Sequence, residues 1–132
     1  MKKLFTLLAL ICLFNVNAQI STGGTNNSGT YSSAIGFQTS AAGDYSTAMG
    51  YNTTSSASYC TAMGYATTAS GSTSTAMGVN TTASGDGSTS LGNQTTASAN
   101  NSIATGASTT ASGEVSTAMG YATTANGSTS TS

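Results

Sequence analysis

The chain has 132 residues, only two of them basic and three acidic, with no histidine and no proline. It offers no cationic surface to neutralise phosphates, which excludes nucleic-acid binding, and it is too poor in titratable groups for acid–base catalysis. Ser, Thr, Gly, Ala and Asn dominate, a composition that by itself points to disorder. A strict internal period overrides that reading.

The first segment carries both lysines. Met1-Lys2-Lys3 is followed by an apolar run from Leu4 to Phe14, and Val16 and Ala18 stand at −3 and −1 to a cleavage point between Ala18 and Gln19. This three-part pattern predicts a secretory signal peptide over residues 1–18, and the apolar run is too short to span a bilayer as a helix. Bulky Ile11 before Cys12 disfavours a lipoprotein signal. Cleavage leaves Asp44, Asp86 and Glu114 as the only charged side chains, a formal charge of −3, and Cys60 as the only thiol. An intrachain disulfide is then impossible, and anionic membranes and acidic substrates are disfavoured partners.

Residues 19–31 read as an N-terminal cap or linker: Thr25 and Gly29 fit the repeat phase, but Thr22 stands where a glycine is expected. From Ser32 to Thr129 the sequence repeats every fourteen residues, seven times, without insertion or deletion. Gly36, Gly50, Gly64, Gly78, Gly92, Gly106 and Gly120 mark the period, and Gly or Ala follows seven residues later, at Gly43, Ala57, Gly71, Gly85, Ala99, Gly113 and Gly127. So short a fixed period predicts an all-β parallel solenoid, or β-roll, over residues 32–132, each repeat one coil stacked on the last.

Each coil has two halves, as in Ser46-Thr47-Ala48-Met49-Gly50 and Tyr65-Ala66-Thr67-Thr68-Ala69-Ser70-Gly71. Both alternate with period two and predict two short strands of about five residues per coil. One parity carries only small side chains, such as Ser46, Ala48, Thr53 and Ser55, and is assigned inward, because two closely apposed sheets leave room for nothing larger. Stacked hydroxyls are expected to hydrogen-bond along these columns. Cys60 occupies a serine column and reads as a small buried thiol.

The opposite parity faces out. On the first strand it carries an apolar column, Ile35, Met49, Met63, Met77, Leu91 and Met119, with Ile103 displaced by two positions through an Ile103/Thr105 swap. On the second strand it carries a threonine ladder, Thr54, Thr68, Thr82, Thr96, Thr110 and Thr124, beside serines. Coils about 4.8 Å apart make a rod roughly 34 Å long with an apolar ridge on one face. Soluble monomers rarely expose such a ridge, and burying its side chains is worth on the order of 10 kcal/mol per chain before ordering costs. The expectation is a closed homo-oligomer with Ile35, Met49, Met63, Met77, Leu91, Ile103 and Met119 at the interface. Tyr31, Tyr45 and Tyr59 share one column, and Tyr51, Tyr65 and Tyr121 another; such rows at coil edges suit either ligand binding or the capping of turns, and capping is the preferred reading.

The pattern Ser-x-Ala-φ-Gly followed by Thr/Ala and Gly at fixed spacing resembles the head repeat of YadA-like trimeric autotransporter adhesins, in phase and length across all seven coils. The resemblance implies a left-handed roll, a homotrimer with the apolar column on its axis, and a place at the tip of a bacterial surface adhesin that contacts host-cell or extracellular-matrix ligands. Thr and Met here replace the larger β-branched pair frequent in that family. The stalk and outer-membrane anchor of the family are not evident, so the chain reads as part of a longer, secreted product whose mature segment does not itself insert into a membrane.

No cofactor or metal is expected. The three carboxylates fall in different coils, and Gly85-Asp86-Gly87 reads as a turn, since Ca²⁺ needs six or more oxygens. Two other functions fit the repeat: an ice-binding Thr/Ser ladder, which leaves the apolar ridge unexplained, and a structural fibre subunit stacked through its open ends.

Overall fold

A computed structural model describes residues 23–132. The proposed signal peptide, its Ala18–Gln19 cleavage point and the first residues of the cap lie outside the described residues.

The chain winds into a parallel β-solenoid of about seven coils. Each coil contributes a five-residue strand to one sheet and a two-residue strand to the other. The seven-stranded sheet holds β2 (Ser33–Phe37), β4 (Thr47–Tyr51), β6 (Thr61–Tyr65), β8 (Thr75–Val79), β10 (Thr89–Asn93), β12 (Ile103–Ala107) and β14 (Thr117–Tyr121), in that spatial order. The eight-stranded sheet begins with β1 (Asn26–Asn27) and continues through β3 (Ser40–Ala41), β5 (Thr54–Ser55), β7 (Thr68–Ala69), β9 (Thr82–Ala83), β11 (Thr96–Ala97), β13 (Thr110–Ala111) and β15 (Thr124–Ala125). Every pairing is parallel and shifted by one whole repeat, such as Met49↔Met63 and Thr68↔Thr82. Sequence identity along each column is therefore the same thing as stacking in space.

The second strand is shorter than the expected five residues. It is clipped by turns, because one residue just ahead of it in every coil, such as Asn52 (φ 52°) or Ala66 (φ 52°), is left-handed. A second left-handed column precedes the long strand and includes Tyr45 (φ 56°), Thr73 (φ 56°) and Val115 (φ 55°). Left-handed geometry is costly for β-branched residues. It persists because these N–H groups join the ladder too: Tyr45 N donates to Thr30 O at 2.8 Å and Asn52 N to Phe37 O at 2.9 Å. The turns, like the strands, are bonded coil to coil.

The glycine column has a harder requirement. Gly50 has φ +125°, and a Cβ there would lie 2.1 Å from the carbonyl oxygen of Gly64 in the next coil. Only glycine permits this approach.

The interior is made of small residues. Ala48, Ala62, Ala76, Ala104 and Ala118 on the long strands, and Ala69, Ala83, Ala97 and Ala111 on the short ones, are fully buried. Columns of Ser and Thr, such as Thr53, Thr67, Ser74 and Ser88, are buried beside them. The expected hydrogen bonding along these columns does not form. Among the described residues, eight buried hydroxyls, including those of Thr53, Thr67, Ser74 and Thr81, have no protein partner. Coils spaced about 4.8 Å apart hold stacked hydroxyls beyond the reach of an O–H···O bond. Where a buried hydroxyl does bond, its partner is close along the chain and not its equivalent one coil away: Ser90 Oγ lies 2.7 Å from Thr95 Oγ1, and Ser55 Oγ donates to Thr47 O at 2.6 Å.

Candidate functional site

Since the interior is filled, any functional surface lies on the outward faces. On the seven-stranded sheet, Ile35, Met49, Met63, Met77 and Leu91 stand directly above one another. Thr105 then takes the column and Met119 resumes it, while Ile103 pairs with Thr89 and Thr117. The apolar row thus runs unbroken through five coils and sidesteps by two residues at β12. None of these side chains enters the small-residue interior. Ile35, Met49, Met63 and Leu91 are half-buried against their neighbours; Met77, Ile103 and Met119 are 38 %, 41 % and 55 % exposed.

The opposite sheet presents hydroxyls. Thr54, Thr68, Thr82, Thr96, Thr110 and Thr124 stack in register through adjacent coils. All but exposed Thr124 are half-buried, and Ser56, Ser70, Ser84, Ser98 and Ser112 beside them are exposed. This face carries no charge.

The carboxylates occupy a turn column. Asp44 Oδ1 accepts from Thr30 N at 2.8 Å, and Asp86 Oδ1 from Ser72 N at 2.9 Å; Asn100 Oδ1 in turn accepts from Asp86 N at 3.0 Å. Each side chain thereby ties its coil to the one before. Gly85-Asp86-Gly87 is such a tied turn. Among the described residues no group of three or more His, Cys, Asp or Glu side chains comes together, and no helix is long and apolar enough to cross a membrane, which says nothing of a β-barrel. Cys60 is fully buried in its serine column, its thiol donating to Ala57 O at 2.8 Å.

Two features were invisible in the sequence. One is the pair of left-handed columns, whose residue types vary from Tyr to Val to Ala and so carry no compositional signal. The other is the ring-on-ring geometry of the aromatics, whose shared columns the sequence does show. Tyr31, Tyr45 and Tyr59 stack with centroids 5.2 and 5.1 Å apart, and Phe37 joins Tyr51 and Tyr65 in a second stack at 5.5 and 5.1 Å.

Comparison with known proteins agrees with the geometry. The YadA head domain repeat matches residues 28–53, 61–81, 83–109 and 111–132, most of the chain and all seven coils, whereas no curated protein matches it. Seven in-phase coils with small-residue columns inside and one apolar column outside are what that repeat encodes here, and the chain belongs to the YadA head domain repeat family, a family of adhesin-type modules.

Proposed function

We propose that the protein is the head module of a trimeric surface adhesin, which attaches to host-cell or matrix surfaces through multivalent, non-catalytic contacts. One observation carries this reading: an apolar row in register through successive coils lies outside the packed interior of the single chain. Its natural cover is the same row on identical copies, with Ile35, Met49, Met63, Met77, Leu91, Ile103 and Met119 facing a common axis. Membership of the YadA head family supports three as the number of copies. Burying seven such side chains is worth on the order of 10 kcal/mol per chain before ordering costs, enough to hold an assembly together.

With the long strands turned to the axis, the Thr/Ser face looks outward. It is neutral, repeats at every coil and is presented three times over, which suits many weak contacts whose strength comes from number. Export through the N-terminal signal and display on the bacterial surface complete the reading.

Light scattering of the purified protein is expected to report a trimer, and the Met49→Asp, Met63→Asp, Met77→Asp variant a monomer that retains its β-sheet circular dichroism. A monomeric wild type would overturn the assembly. A trimer that retains no matrix protein, cell or abiotic surface in a solid-phase assay would overturn the adhesive role. Thermal hysteresis in its place, lost when Thr68, Thr82 and Thr96 are changed to Tyr, would move the Thr ladder to ice binding.

A further inference from the structure

The aromatic rows have no role in the apolar column, yet they contain five of the six tyrosines of the chain together with Phe37, while Tyr121 stands apart at the far end of the second column. They occupy the two ends of the long strands. Tyr31 precedes β2 and Phe37 ends it; Tyr45 and Tyr51 flank β4 in the same way, and Tyr59 and Tyr65 flank β6. The rings stack within each row, but their edges remain in water, with exposures from 44 % at Tyr51 to 74 % at Tyr31. Six such rings on one half of one sheet form an apolar patch continuous with the methionine row between them, of the kind that marks an interaction surface.

The occupant follows from the geometry of the sheet. If the long strands face a common axis parallel to the rod, each strand runs tangentially around it, so the end of a strand in one copy meets the start of the equivalent strand in the next. Six residue steps from Tyr45 to Tyr51 span about 20 Å. Three sides of about 20 Å enclose a triangle whose centre lies roughly 6 Å from each sheet, close to half of the ~10 Å that separates packed sheets. Four copies would hold each sheet roughly 10 Å from the centre, a gap about twice as deep as sheet packing fills. Two copies would pack face to face but leave every aromatic row at an open edge.

We infer that the aromatic rows are inter-subunit seams: at each corner of the trimer the Phe37/Tyr51/Tyr65 row of one copy packs against the Tyr31/Tyr45/Tyr59 row of the next. Each corner is built from two chains and is incomplete in one. Paired aromatic corners are confined to the first three rungs: Thr73 and Val79 flank β8, Gly87 and Asn93 β10, Asn101 and Ala107 β12, and at β14 Tyr121 would meet only Val115. This inference rests on the assembly proposed above.

The test is photo-oxidative tyrosine coupling by a ruthenium(II) tris-bipyridyl complex with persulfate, read on a denaturing gel. Wild-type protein is expected to give covalent dimers and trimers. Y51F/Y65F/Y121F keeps every ring and the trimer by light scattering, but leaves each corner with tyrosines from one row only, so its interchain bands vanish; Y31F/Y45F/Y59F does the same from the other side. Interchain bands that persist in either variant, or a wild-type trimer that yields monomer bands alone, overturn the seam while leaving the assembly intact. A wild type that is monomeric by light scattering overturns the assembly and the seam with it.

Discussion

Gly64→Ala and Gly120→Ala make a matched pair that separates two reasons for the glycine column. Both residues sit at positive φ, +125° and +112°, where an L-residue is strained. At Gly64 an added Cβ would lie 2.0 Å from the Gly78 carbonyl oxygen and 3.0 Å from its carbon; at Gly120 it meets nothing nearer than Thr123 Cγ2 at 3.8 Å. Gly120→Ala therefore bears the backbone cost alone, about 1–3 kcal/mol. Gly64→Ala bears that cost and must also push β6 away from β8, weakening ladder bonds worth about 1 kcal/mol each, for a further loss of roughly 2–4 kcal/mol. Urea unfolding followed by circular dichroism, at one protein concentration because assembly is linked to stability, measures the difference. Equal losses in the two variants would refute the steric argument and leave φ as the whole explanation.

Thr67→Val and Thr81→Val each remove a fully buried hydroxyl that has no protein partner and keep the side chain's shape; each should raise stability by about 1 kcal/mol, and a loss of that size would show that the hydroxyl is satisfied after all. Cys60→Ser restores the column residue and should change stability by less than about 1 kcal/mol. In the native wild type the buried thiol should react with a thiol reagent only as fast as its coil opens, and immediate stoichiometric labelling would contradict its burial.

The period was enough to read the fold because in a solenoid the residue fourteen positions on is the spatial neighbour. Ala48 above Ala62 and Met49 above Met63 are statements about sequence and about packing at once. Parity likewise separated the buried Ser46, Ala48, Thr53 and Ser55 from outward Met49 and Thr54. What stayed hidden were properties of the turns and of short-range geometry. Thr73 and Val115 adopt left-handed φ that their type disfavours, held by bonds from neighbouring coils, so local propensity pointed the wrong way. Thr53 and Thr67 stack in one column, but bonding between their hydroxyls depends on a spacing that residue identity does not encode. The Tyr45–Tyr59 stack required knowing that both rings lean along the column.

A perfectly repetitive roll has a weakness that the irregular residues of this one address. Slipping one coil against the next by fourteen residues would re-form the backbone ladder of every coil that stays in the stack, because all coils share one backbone, and the Ala and Gly columns would match as well as before. Only contacts that depend on which coil lies next to which can oppose the slip. They fall where the repeat is least regular: the stack of Tyr31, Tyr45 and Tyr59, the bonds from Thr30 N to Asp44 and Ser72 N to Asp86, the Asp86–Asn100 tie, and Ser112 Oγ donating to Asn126 Oδ1 at 2.7 Å. Each joins adjacent coils through side chains that only some of the seven repeats carry. The departures from consensus in the turns thus set the register, the consensus in the strands supplies the cohesion, and the sidestep of Ile103 carries the same distinction onto the outward face.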